Sequence, residues 1–140
     1  MIAILRLLPA LLLIGSFHSC KEAQAESLES PNAVEHISVE EMKLHLQMED
    51  VQLIDIRSRA NYTDAHIVNA VNIVFDEEFR KNLNSLDKSR PVLLYCTDGS
   101  KSKKALKILK RMGFQNVQEL DEGFEEWIAR GGQVQVQTHK

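Results

Sequence analysis

Pro91-Val-Leu-Leu-Tyr-Cys-Thr-Asp-Gly-Ser-Lys-Ser102 is an apolar, β-prone run that ends on a cysteine, Cys96. A short polar loop containing Gly99 follows, and then a strongly helical stretch, Ser102 to Met112. A cysteine inside a strand is most often a small core hydrophobe. Cys96 stands instead at the junction of strand, tight loop and helix, which points to chemistry. Loop amides can converge on one spot there, and the helix N-terminus adds partial positive charge. A thiol held in that cradle, near Lys101, Lys103 and Lys104, is expected to ionise readily.

Working outward, strand and helix signals alternate on both sides. Ser38-Val-Glu-Glu41 is a capping box, so a helix is predicted from Val39, with Val39, Met42 and Leu46 on one face. His36-Ile37 reads as a short strand before it. Val51 to Ile56 reads as a buried parallel strand, with Asp55 and Arg57 at or just past its C-terminal end. Sites gather at such ends in open α/β sheets, but an Asp that tethers a loop and an Arg that pairs with it is the plainer reading. Ser58 to Asp64 is a short helix or turn, and Ala65 to Ile67 leads into a strand at Ala70 to Ile73. Asp76 to Leu86 is predicted helical, with Phe79, Leu83 and Leu86 on one face, and Lys88 to Pro91 is a turn. After Cys96 the helix carries Ala105, Ile108, Leu109 and Met112 at core spacing, and Gly113 is placed to end it. Val117 to Leu120 is a strand. Gly123 then precedes a helix with Phe124, Trp127 and Ile128 on one face, closed by Gly131-Gly132. The valine–glutamine alternation after Gln133 has no assigned place. This βα alternation predicts a parallel sheet covered by helices on both faces.

The chain has 140 residues and is 44% hydrophobic, enough for one domain with a real core. A formal net charge of −3 gives no reason to expect a nucleic-acid partner. The six basic residues from Lys101 to Arg111 read mostly as a solvated helix face. Two cysteines, Cys20 and Cys96, cannot make a disulfide framework. There is no Cys-x-x-Cys and no zinc spacing, and the five histidines are scattered. No metal or organic cofactor is expected.

Residues 1–25 read as a secretion signal: Arg6, then an apolar run from Leu7 to Phe17 interrupted by Pro9. The run falls short of the roughly 20 residues a bilayer span needs. Two processing readings stand. Ala23-Gln-Ala25 is an A-x-A site that would release a protein beginning near Glu26. Phe17-His-Ser-Cys20 resembles a loose lipoprotein box, in which Cys20 would be lipidated and attach the protein to the membrane. The short distance from apolar run to Cys20 favours the second, although His18 departs from the usual pattern. Either reading places the domain outside the cytoplasm, in the periplasm or cell envelope of a bacterium. A linker over 26–33, a folded domain over 34–135 and a tail over 136–140 complete the expected organisation, as a monomer.

Taken together, these segments resemble a single-domain rhodanese, a sulfurtransferase domain. Leu53-Ile-Asp-Ile-Arg57 is similar to the family's "LIDVR". Tyr62-Thr-Asp-Ala-His-Ile67 with Ala70-Val-Asn-Ile73 is similar to "Y..GHI.GA.NI". Val92 to Ser102 is similar to "vvvYC.sG.RS", and Leu120-Asp-Glu-Gly-Phe-Glu-Glu-Trp127 to "l.GG...W". The resemblance runs from about Val34 to Val134. It implies a five-stranded, mainly parallel sheet flanked by helices on both faces, and a six-residue active-site loop from Cys96 to Lys101. Cys96 would be the sulfur-carrying nucleophile. Thr97, Asp98, Gly99, Ser100, Lys101 and Ser102 would supply backbone amides around it. Asp55 and Arg57 would support the region.

Several positions depart from the family pattern. Lys101 stands where many members have Arg, and keeps the charge without the bidentate fork. Asp98 brings a negative charge that disfavours a dianionic donor such as thiosulfate. Ala65, Val68 and Asn69 replace the common Gly, Pro and Gly around His66. The implied reaction moves a sulfane sulfur from a small sulfur-containing anion to cyanide or a thiol through a Cys96 persulfide. The alternative is a catalytically weak binding or thiol-redox module. A cysteine phosphatase is disfavoured, because Ser102 occupies the position where such loops carry Arg.

Overall fold

The computed structural model describes residues 35–48 and 50–136. The expected signal over 1–25, the lipidation candidate Cys20 and the linker over 26–33 lie outside the described residues. No helix among the described residues is long and apolar enough to cross a membrane.

Five strands make a wholly parallel sheet: β1 (His36–Ile37), β2 (Gln52–Asp55), β4 (Val71–Asn72), β5 (Val92–Tyr95) and β6 (Val117–Leu120), in the order β1-β6-β5-β2-β4. Successive side chains on the central strands go to opposite faces. Ile54, Val92, Leu94, Cys96 and Val117 pack against helix α4 (Ser102–Arg111) and the segment with helix α3 (Phe79–Asn82). Leu53, Leu93, Tyr95 and Leu120 pack on the other face, against α1 (Val39–Met48) and α5 (Gly123–Ala129). Burial on both faces is why these strands read as continuous apolar runs. The capping box forms as predicted: the Ser38 amide donates to Glu41 Oε2 at 2.8 Å, and the Glu41 amide to Ser38 Oγ at 3.3 Å.

Some expectations are corrected. The predicted helix over 76–86 is shorter: the Asp76 carboxylate takes the Glu78 amide at 2.9 Å, so the chain turns before α3, and Leu83–Ser85 tightens into a 3₁₀ turn. Phe79 and Leu83 still reach the core. Directly after α2 (Arg59–Asp64), Ala65–Ile67 is itself a strand, β3, because β7 (Val134–Val136), in the segment without an assigned place, pairs with it antiparallel. Val136, placed in the expected tail, therefore lies in this separate two-stranded sheet. Ile128 is exposed, since the short α5 buries only its Phe124–Trp127 side, and α4 buries Leu106, which the expected stripe left out.

Candidate active site

Cys96 follows β5 directly, at the C-terminal edge of the sheet, where β2 and β5 end side by side with Asp55 opposite Tyr95. Its side chain continues the Val92–Leu94 face toward α4, and the residue is 1% exposed. Sγ lies 3.7 Å from Ser102 Oγ and 3.9 Å from Asp98 Oδ1. The segment from Thr97 to Lys101 turns over it and enters α4 at Ser102.

The loop is tied to itself by Asp98. Oδ1 accepts the Ser100 hydroxyl at 2.6 Å and the Ser100 amide at 3.0 Å. Those two bonds, the hydroxyl first, hold the Asp98 carboxyl below the usual carboxylate range. A carboxylate thus sits beside the sulfur, and the Ser100 amide, expected to face the sulfur, is given to Asp98 instead. Ser102 is fully buried and donates its hydroxyl to the Gly99 carbonyl at 2.9 Å. Lys101 is exposed at the start of α4, and Lys103 pairs with Asp121 at 3.2 Å.

Two glycines let neighbouring backbone press against this loop. Gly99 has φ +77°, and a Cβ there would lie 1.8 Å from the Asp121 carbonyl oxygen. Gly123 has φ +72°, and a Cβ there would lie 2.5 Å from the Thr97 carbonyl oxygen. Both conformations suit glycine alone among common residues. The close approach lets the first amides of α5 reach the loop: Phe124 donates to the Cys96 carbonyl at 2.8 Å and Glu125 to the Thr97 carbonyl at 3.1 Å. This clamp was missed in the sequence; its only signal was a glycine three residues past the end of β6.

Asp55 and Arg57 are buried and bonded to each other, with Arg57 Nε 3.0 Å from both carboxylate oxygens and Nη2 2.6 Å from Oδ2. Nη2 also donates to the Ala65 carbonyl at 2.6 Å, and the guanidinium covers the Phe124 ring at 3.7 Å. The pair joins β2 to β3 and backs the helix that grips Cys96. Beside it, burial first and the Asp55 charge second push the Tyr95 phenol upward, and its oxygen accepts the Ile67 amide at 3.1 Å.

The fold also collects His36, Glu119 and Asp121, whose ligand atoms lie within 4.8 Å of one another. Spacing along the chain did not reveal them because β1 and β6 are neighbours only in the sheet. His36 Nδ1 is 2.5 Å from Glu119 Oε1 and Lys103 already holds Asp121, so the cluster's groups are bonded to partners within the protein. On the face opposite α4, a cleft lined by Leu46, Ile67, Asn69, Trp127 and Gln133 includes no residue of the cysteine loop.

A parallel five-stranded sheet with a cysteine loop between a central strand and a helix is the arrangement of a rhodanese-like domain. Residues 38–130 match that family, and the chain belongs to it. Among curated proteins it is similar to the thiosulfate sulfurtransferase GlpE of Shewanella oneidensis, 30% identical over 96 residues, covering 69% of this chain and 94% of that one. The GlpE of Coxiella burnetii is 34% identical over 80 residues, 57% of this chain and 74% of that one. Among solved structures, the rhodanese-like domain of the Anabaena protein Alr3790 superposes with a TM-score of 0.68 at 27% identity, covering 74% of this chain and 80% of that one. These relatives support a sulfurtransferase kind.

Proposed function

We propose that this protein transfers sulfane sulfur through a persulfide on Cys96. The observation that carries the reading is the Cys96 sulfur itself, in the family's fold, at a strand end where a loop and a helix N-terminus meet. In the first step the Cys96 thiolate attacks the outer sulfur of the donor. The donor's S–S bond breaks, its electron pair leaves with sulfite when the donor is thiosulfate, and Cys96-S-S⁻ remains. In the second step the carbon of cyanide, or the sulfur of a thiolate, attacks the terminal sulfur, and Cys96 leaves as thiolate.

The residues around Cys96 divide the work. Amides and dipoles near the loop stabilise the anionic sulfur. The α5 clamp fixes the Cys96 carbonyl, and with it the direction of the sulfur. With Cys96 only 1% exposed, donor entry requires the 97–101 segment to shift. Asp98 beside the sulfur favours donors with less charge than thiosulfate, such as the persulfide of a small thiol. Export through the leader, with membrane attachment at Cys20, is part of the proposal and would place this chemistry in the cell envelope.

The test is the mass of the Cys96 peptide from the full chain before and after a sulfane donor. A gain of one sulfur, lost on adding cyanide and absent in Cys96→Ser, is the expected result. No gain with thiosulfate or with small persulfides would overturn the reading and favour a binding or thiol-redox module.

A further inference from the structure

The parallel pairing of β1 with β6 sets His36 level with Glu119 at the edge of the sheet. Side chains alternate along a strand, so Val117, Glu119 and Asp121 project from the face of β6 that carries α4. Leu120 and its neighbour Ile37 project from the other face, which leaves His36 on the same side as Glu119. Two backbone bonds fix the spacing. The Glu119 amide donates to the Glu35 carbonyl at 2.8 Å, and the Asp121 amide to the Ile37 carbonyl at 3.1 Å. An imidazole nitrogen and two carboxylate oxygens thereby lie within 4.8 Å of one another.

Acidic groups gather on many protein surfaces, and Glu119 sets this cluster apart. It is 0% exposed. Its Oε1 meets His36 Nδ1, but Oε2 is buried with no hydrogen-bond partner among the described residues. A buried carboxylate oxygen left unpaired is costly, and a cation is a partner that would use it. The other two side chains reach water: His36 is 46% exposed and Asp121 is 51% exposed. One ligand is thus fixed in the interior, and the other two leave an entry path from solvent.

We propose that His36, Glu119 and Asp121 bind a divalent transition cation of the zinc class, with water completing its coordination. The imidazole selects against calcium and magnesium, which take oxygen donors. Donors about 2.1 Å from a tetrahedral ion stand about 3.4 Å apart, so the side chains close inward by rotation while the strands stay paired. The ion replaces the His36–Glu119 hydrogen bond, and the imidazole coordinates through one nitrogen and keeps its hydrogen on the other. Lys103, now 3.2 Å from Asp121 and itself 55% exposed, swings into water. The ion ties the two-residue edge strand β1 to β6. It also holds Asp121, whose carbonyl packs against Gly99 of the Cys96 loop. The site does not depend on the reading of Cys96 as the nucleophile.

The test is calorimetric titration of the metal-free full chain with Zn²⁺ at about pH 8, above the ordinary range of carboxyls and imidazoles. It is repeated in Cys20→Ser/Cys96→Ser, which removes both thiols. The same binding of one ion at this site is expected in both. His36→Ala and Asp121→Asn change side chains that reach solvent, so the fold should tolerate them. Each is expected to weaken binding by about tenfold or more, since losing even a group that only orients a ligand costs about that much. Lys103→Ala frees Asp121 and removes a competing cation, so it is expected to tighten binding by about fivefold. Ion pairs with no metal role would give no such gain. The proposal is overturned if the wild type does not bind, if binding disappears with the thiols, or if any of the three single variants binds as the wild type does. Sulfur transfer is not read, so this site and the persulfide can fail separately.

Discussion

The guanidinium of Arg57 lies 3.7 Å from the ring centre of Phe124, whose own amide donates to the Cys96 carbonyl at 2.8 Å. The buried Asp55–Arg57 pair is thereby two contacts away from the candidate nucleophile. Its charge is matched internally, and its flat face supports α5 where α5 grips the loop.

Breaking that pair leaves an uncompensated buried charge. Asp55→Asn is expected to lower the unfolding free energy by about 3–5 kcal/mol in urea titration. A loss below about 1 kcal/mol, the scale of an exposed pair, would show that Asp55 is not the anchor.

Gly123→Ala forces a Cβ to 2.5 Å from the Thr97 carbonyl oxygen at a φ of +72°. The clamp on Thr97 and Cys96 should open. Persulfide formation is expected to fall by about tenfold or more, since misplacing a reacting atom by about 1 Å can cost that much or more. Single-turnover mass spectrometry reads it, and an unchanged rate would show that the clamp does not direct the sulfur.

Asp98→Asn removes the charge 3.9 Å from Sγ and keeps an oxygen for the Ser100 hydroxyl and amide. The kcat/KM for thiosulfate is expected to rise by about three- to tenfold, and less for an uncharged donor, because only the dianion feels the full repulsion. An equal change for both donors would assign Asp98 to loop shape alone.

Burial raises the Glu119 carboxyl above its unfolded value. The folded state then holds a proton that the unfolded state has released, so this group's contribution to stability is present below the usual carboxylate range and is lost as pH rises through the raised value. Glu119→Gln removes the dependence. The stability of this variant relative to wild type is expected to increase as pH rises above the usual carboxylate range, read in urea titrations. A constant difference would show that the carboxyl is not raised.

Strand and helix identity was largely legible along the chain, because a strand buried on both faces, a capping box and a helix stripe are written in neighbouring residues. Val92 to Tyr95, Ser38 with Glu41 and the core of α4 all came from such patterns. The Cys96 loop was legible for the same reason: its strand, turn and helix start are contiguous. The helix over 76–86 misled because the Asp76 turn competes with the first helical turn, a choice that periodicity does not encode.

The sequence by itself determined the parallel sheet, the cysteine at its edge and the Asp–Arg pair, since each is a matter of local order and type. Only the tertiary structure decided that β7 closes on β3, that α5 holds the cysteine's carbonyl, and that His36, Glu119 and Asp121 meet across β1 and β6. Those residues come from strands and helices far apart in the chain. Their meeting depends on sheet order and helix placement, which chain packing sets and no local spacing records.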